Sequence, residues 1–373
     1  MKSPELLPAA PVKPGLRALT APFQAPQPAQ SVAQIATSFG GFLIVCAAMY
    51  FTVAPSIWLT LGLSVLAAGF LVRIFIIQHD CGHGAFFRSR TANQVLGFIC
   101  GLLTLTPYHS WKRQHAGHHG IWNNLDRRQS GVDIYSSCMT VAEYRALSRG
   151  RQFLYRIVRH PLVSNIVLPP VVFLFLYRFP FDTPKARRRE RQSVYLTNVL
   201  IAAGVVGLGF LLGFDRVALV HVPIIVAASI IGVWLFSVQH RFERSAWRRQ
   251  PVWTHEDASM EGSSHLDLPP VLRWFTGNIG FHHIHHLNPK VPNYRLQDCH
   301  QSDPDLQTAP RIGLWSALGQ WRYALWDEVK GRMVDYREAA ATAAEPADWL
   351  ANEVQDQAEQ IVPRQPVTSP PAP

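Results

Sequence analysis

Charge is scarce in this sequence: only 16% of its 373 residues are Asp, Glu, Lys or Arg, against 48% hydrophobic. That is apolar for a soluble protein, and the apolar residues fall in blocks. Cysteine is scarce too. Cys46, Cys81, Cys100, Cys138 and Cys299 make an odd set with no paired short spacing. A disulfide framework and a thiolate zinc site are therefore excluded as organising devices. Cys46 and Cys100 lie in apolar stretches and read as ordinary buried residues, whereas Cys81 sits between two histidines and can help pack a site. No internal repeat is visible. The opening "MKSPELLPAAPVKPGLRALTAPFQAPQPAQ" lacks the charged-then-apolar pattern and cleavage site of a signal peptide. Residues 1–32 and 346–373, rich in Pro and Ala, read as disordered tails that cannot bury enough apolar area to offset ordering.

What is present is four long apolar runs, at about 33–53, 55–77, 193–213 and 216–239. Each is near the roughly 20 residues a helix needs to cross a hydrocarbon core of about 30 Å. Only Arg73 lies well inside the second, near its end, where a long side chain can snorkel. The expected fold is an all-α integral membrane protein with four transmembrane helices in two hairpins. Ala54–Pro55 joins the first pair, and Gly213–Arg216 the second. Each hairpin returns the chain to its starting side, so His79 and His240 emerge on one face.

The formal net charge is +10, from 35 Lys+Arg against 25 Asp+Glu. The basic residues gather on that same face: Arg88, Arg90, Lys112, Arg113, Arg127, Arg128 and the run Lys185–Arg191. The positive-inside rule places this face and both tails in the cytoplasm, as in a bacterial inner membrane. The basic balance then needs no nucleic acid. Two shorter apolar stretches, Asn93–Tyr108 and "NIVLPPVVFLFLYRF", do not fit as spans, because crossing at the first would carry the following histidines outside. They read as interfacial or half-inserted helices whose backbone must be buried by protein. Polar regions 78–192 and 240–345 supply a cytosolic cap, so 33–345 forms one membrane domain.

Most of the sixteen histidines occur in three clusters at that boundary. "HDCGH" holds His79 and His83, "HAGHH" holds His115, His118 and His119, and "HHIHH" holds His282, His283, His285 and His286. Residues three and four apart share a helix face, so their imidazoles converge. His240 follows the last span. Neutral imidazole is the commonest form in which this side chain binds metal, and a shared metal relieves the crowding. Setting His283 aside leaves nine histidines: His79, His83, His115, His118, His119, His240, His282, His285 and His286. One tetrahedral zinc needs four, so nine suit two metals with four or five each. Without cysteine ligands an iron–sulfur cluster is disfavoured. Nitrogen donors suit zinc, copper, iron and nickel alike. His160, His221, His255, His265 and His300 read as ordinary structural or solvated residues.

Together "HDCGHGAFF", "HAGHH", "QHRFE" and "NIGFHHIHHLNPKVPNYRL" resemble the membrane fatty acid desaturase family, over roughly 40–340. The likeness is closest to its acyl-lipid branch, which includes omega-6 (delta-12) enzymes. The resemblance implies a cytosolic cap holding two iron ions on the nine histidines. Molecular oxygen would be co-substrate in the dehydrogenation of a lipid acyl chain. Some acyl-CoA members carry Asn four residues before the histidine that follows the last span; here Phe236 stands there. His283, His109 and Asp80 are expected around the metal ligands, with Glu243, Asp126 and Asp133 as weaker candidates to brace the histidines. Trp111, Trp253 and Trp274 are candidates for an acyl channel or for interfacial anchors. No "HPGG" haem motif or cysteine set is visible, so a separate ferredoxin or small haem cytochrome is the implied electron donor. Rival readings are a di-iron hydroxylase or ketolase, a membrane zinc hydrolase, and a non-catalytic metal- or lipid-binding protein.

Overall fold

The computed structural model describes residues 15–128 and 137–341. Its frame is helical. Helix α1 (Pro28–Thr52) and α2 (Ile57–His83) form the first hairpin. Ser56 caps α2 by accepting a hydrogen bond from the Leu59 amide. Two shorter helices follow, α3 (Arg90–Leu103) and α4 (Tyr108–Ile121). An amphipathic α5 (Arg149–Arg159) leads into a broken helix over 162–178 that includes α6 (Leu168–Leu174). The second hairpin is α7 (Arg188–Leu212) and α8 (Phe214–His240), and the short α9 (His282–Leu287) carries the last histidine cluster.

Four of these helices, α1, α2, α7 and α8, are long and apolar enough to cross a membrane. Their outer faces support that reading: Phe210 is 82% exposed, and Val199, Leu211, Leu43 and Phe51 are also bare. Apolar surface of this extent belongs in lipid. The cap adds two small sheets. In one, β1 (Met139–Thr140) runs parallel to β4 (Leu325–Asp327), which pairs antiparallel with β5 (Arg332–Val334). In the other, β2 (His265–Asp267) and β3 (Arg311–Gly313) are parallel.

Helix α2 is the central element, packing against α1, α3 and α8. Its 27 residues make about 40 Å of helix, longer than the roughly 30 Å hydrocarbon core. The excess carries His79 and His83 into the cap. Gly84 then ends the helix at φ 65°, with the Gly84 amide bonded to Cys81 O and the Ala85 amide to Asp80 O. That left-handed cap favours glycine, so the sixth residue of "HDCGHG" is a stop signal.

Several expectations change. From Gly15 onward the segment expected to be a loose tail is folded: Asn288 donates to Thr20 Oγ1 at 2.7 Å, and the Gln27 amide donates to the Tyr294 hydroxyl. Buried Thr20 and its neighbours thus strap the underside of α9. Residues 1–14 and 342–373 lie outside the described residues. Arg73 is buried rather than snorkelling to water, with its guanidinium 4.0 Å over the Trp274 ring and bonded to the Trp274 carbonyl. The "NIVLPPVVFLFLYRF" stretch, expected to be half-inserted, is set at 52° to α5, a bend that suits a re-entrant segment and leaves that expectation standing.

Candidate metal centre

Four helices deliver the nine histidines. His79 and His83 come from the projecting end of α2, and His115, His118 and His119 from α4. His240 is the last residue of α8, and His282, His285 and His286 lie on α9. They sort into two groups. His79, His83, His115, His119 and His285 have donor nitrogens within 4.8 Å of one another, as do His118, His240 and His286. His282 joins the second group, its Nε2 2.9 Å from His240 Nε2. Neighbouring histidines therefore part company: His118 and His119 face different groups, and so do His285 and His286.

The nitrogen spacings fit shared ions. His119 Nε2 lies 3.2 Å from His115 Nε2 and 3.0 Å from His285 Nε2, while His118 Nε2 is 3.2 Å from His240 Nε2. With metal–nitrogen bonds of roughly 2.0–2.1 Å, donors at right angles around one ion lie about 2.9 Å apart. Nε2 of His83 and of His286 is buried with no hydrogen-bond partner. Burial, followed by the neighbouring imidazoles, holds His115, His119, His285 and His286 well below the ordinary histidine range, as it does His282. These rings are neutral at neutral pH, the form that binds metal. Two groups of buried and half-buried lone-pair-bearing rings can hold two metal ions.

Asp80 sits where the sequence suggested. Its Oδ1 is 3.3 Å from His79 Nδ1, and its Oδ2 accepts from the Asn293 amide at 2.7 Å and from Asn293 Nδ2 at 2.8 Å. Gln34 of α1 pairs with the same Asn293 side chain at 3.0 and 3.1 Å. No local sequence pattern marks Asn293 for this link. The paired turn residue is only brought to Asp80 by the tertiary fold.

The other expected neighbours lie elsewhere. His283 is buried but turned from both groups, its Nε2 3.0 Å from His300 Nδ1 and 3.1 Å from Leu306 O. His109 is exposed. Glu243 orients no histidine; it binds the Tyr323 hydroxyl and Arg332 in the cap. Asp126 pairs with Arg249 and accepts from the Gln250 amide, so it ties down the loop after α4 rather than a ligand ring. Asp133 lies outside the described residues. Trp111 stacks on His115 at 4.9 Å, whereas Trp253 donates to Trp122 O and Trp274 packs on Arg73 and Phe70. Trp122, unremarked in the sequence, lies 4.0 Å from the His240 ring and 5.0 Å from His118. Its place four residues after His118 was the available signal. Phe236 packs against His118 and His240 and offers no donor.

A cavity of about 440 Å³ reaches this centre, touching His79, His115, His118 and His282. From there it runs between α2, α8 and the broken helix, along Leu71, Phe75, Val172, Ile225 and Gly232. The wall is predominantly apolar, as for a hydrocarbon chain.

The fold and site define a helical membrane protein with a nine-histidine pair of candidate metal groups beside an apolar cavity. A family model described as fatty acid desaturase matches residues 56–321. The chain is 43% identical over 317 residues to "Fatty acid desaturase" of Bacillus subtilis (strain 168), covering 85% of this chain and 89% of that protein. It is 25% identical over 279 residues to "sn-1 oleoyl-lipid 12-desaturase" of Picosynechococcus, covering 72% and 74%. It is 26% identical over 242 residues to "sn-1 acyl-lipid omega-3 desaturase (ferredoxin)" of Synechocystis, covering 60% and 61%. The chain belongs to the fatty acid desaturase family and is a desaturase oxidoreductase.

Proposed function

We propose that the nine histidines bind two iron ions and that the enzyme desaturates acyl chains of membrane lipids with molecular oxygen. In this reading His79, His83, His115, His119 and His285 hold one ion, and His118, His240, His282 and His286 the other. The observation that carries it is an apolar cavity ending at both histidine groups. An unactivated methylene offers no acidic proton and no leaving group, so side-chain acid–base catalysis cannot attack it. Iron, if held by these histidines, would supply with molecular oxygen the oxidative chemistry that such a carbon–hydrogen bond requires. The protein's own residues do the rest. The cavity wall holds one segment of chain against the centre and excludes water. Trp111 and Trp122 cover the histidines, and Asp80 fixes the His79 ring.

The new double bond is assigned to the omega-6 (delta-12) position, a reading supported by the likeness to the sn-1 oleoyl-lipid 12-desaturase of Picosynechococcus. Electrons come from a separate ferredoxin or small haem cytochrome; the Synechocystis relative's name includes ferredoxin. The basic face and the cap lie in the cytoplasm, where an acidic carrier meets opposite charge. Expression in a host, with gas chromatography of its fatty acids beside a His285→Ala control, tests the reading. A dienoic acid absent from the control is expected, and its bond position checks the omega-6 assignment. An oxygenated product instead would select the hydroxylase reading.

A further inference from the structure

A second group of unusual residues begins in the cap, just past the end of α8. Arg241, directly after His240, is only 2% exposed. Among the described residues it has no ion pair and no side-chain hydrogen bond, and its Nε is buried without a partner. Among the described residues the groups that act most on its charge are Arg159, Tyr155, Tyr336 and Cys138, none of them a carboxylate. Arg159, at the end of α5, likewise has a buried Nη1 with no partner, as does the Tyr336 hydroxyl. Three orphaned groups that can donate thus gather around two guanidiniums.

This arrangement is costly as it stands. A buried charge is tolerated when paired, and a buried donor when an acceptor meets it. Here two like charges face each other, and the nearby hydroxyl of Tyr155 is already engaged with Ala324 O and the Met139 amide. The aromatic faces give partial relief, Arg159 lying 5.1 Å over the Tyr155 ring. They offer no acceptor in the plane of the guanidinium. An anion with several oxygens would meet these donors, since planar guanidinium forks bind such groups best.

The position says where that anion comes from. Helix α5 exposes Phe153, Leu154 and Ile157 on one side, Phe153 at 66%. On its other side Arg156 and Arg159 lie over Tyr144, Tyr336 and Tyr155. Such a helix lies in the membrane surface, apolar face down, at the depth of the lipid headgroups. We propose that Arg159, Arg241 and Tyr336 form an oxyanion site whose occupant is the phosphate of a membrane phospholipid. The site lies on the sequence neighbour of a metal-binding candidate, so occupancy also steadies the end of α8.

The test reads binding rather than turnover and so stands apart from the desaturase reading. Full-length protein is delipidated in detergent, and its thermal unfolding is followed during titration with phosphatidylglycerol, dioleoylglycerol or inorganic phosphate. Phosphatidylglycerol raises Tm and phosphate-free dioleoylglycerol does not. Arg241→Met keeps the fold, because it retains an apolar stem and removes a buried charge, and loses the response. Arg159→Gln and Tyr336→Phe, at less buried positions, raise the lipid concentration for half the effect by roughly tenfold each, the loss of one charge-assisted hydrogen bond. A wild-type response in Arg241→Met, or equal stabilisation by dioleoylglycerol, overturns the site. Inorganic phosphate matching and competing with the lipid keeps the oxyanion site but overturns its lipid occupant. A lipid-independent loss of Tm in Asp133→Asn that vanishes on an Arg241→Met background would make Asp133 the counter-ion and also overturn the proposal.

Discussion

His118 and His119 are bonded neighbours, yet their rings enter different metal groups, and the same holds for His285 and His286. The crowding of "HHIHH" is resolved by this division: His282 and His286 turn one way, His285 another, and His283 a third, toward His300. Removing one ring should therefore empty one group without unfolding the cap. In purified protein, His118→Ala, His240→Ala and His285→Ala are expected to lower bound metal and abolish desaturation, while His255→Ala does neither. Metal analysis beside product analysis checks this; full occupancy in any of the three would remove that residue from the ligands. Asn293→Ala should be milder. It removes the Nδ2 bond to Asp80 and leaves the one from the backbone amide, so Asp80 and the His79 ring are loosened rather than released. Loss of such outer support typically costs 10- to 100-fold in metal affinity or activity, and the lower end is expected here. Competition with a chelator measures it.

At the scale of elements, each helix does one task by its length and its end. Helix α2 overshoots the bilayer and stops on Gly84, so Gly84→Ala should cost about 1–2 kcal/mol, the strain of a left-handed residue with a Cβ. A lowered Tm with reduced metal content is the expected result. Helix α8 instead lines the cavity. A Cβ at Gly232 would meet nothing within 4 Å, and Gly232 faces the cavity. Gly232→Leu should therefore fold and bind metal normally while turning over lipid at least tenfold more slowly, because its side chain fills the acyl path. Wild-type turnover with intact metal would show that the chain runs elsewhere.

For the whole molecule, the buried histidines link stability to pH. Unfolded imidazoles titrate near 6.5, while in the folded protein His115, His119, His282, His285 and His286 are held far lower. The folded state thus resists protons that the unfolded state accepts. Its stability is complete above about 6.5 and falls as pH drops below that value. Metal loss should follow the same window, since protons compete for the ligands. Tm and metal content measured from pH 7.5 to 5.5 should decline together. Sidedness is tested separately. The native cysteines are all buried, so a cysteine introduced at Ala186 should be labelled from the cytoplasm and one at Asp215 from the opposite side.

Much of this was legible in the sequence because it is periodic or compositional. Apolar runs near twenty residues long specify membrane helices whatever their partners, since no water is available inside lipid to solvate a backbone. Histidines spaced three and four apart share a helix face before any tertiary contact forms. Local order therefore determined the spans, the three clusters and the nine candidate ligands. Which histidine faces which group depends on rotations between α2, α4, α8 and α9, and no local pattern encodes them. The Gln34–Asn293–Asp80 chain joins residues more than two hundred positions apart, and the folded strap at Thr20 exists only because Asn288 is there to meet it. Glu243 and His109 lie close in sequence to ligand histidines or to their helix, but side-chain direction carried them to the cap and to the surface. Composition and spacing determined the kind of chemistry; only packing across the chain decided which side chains converge on it.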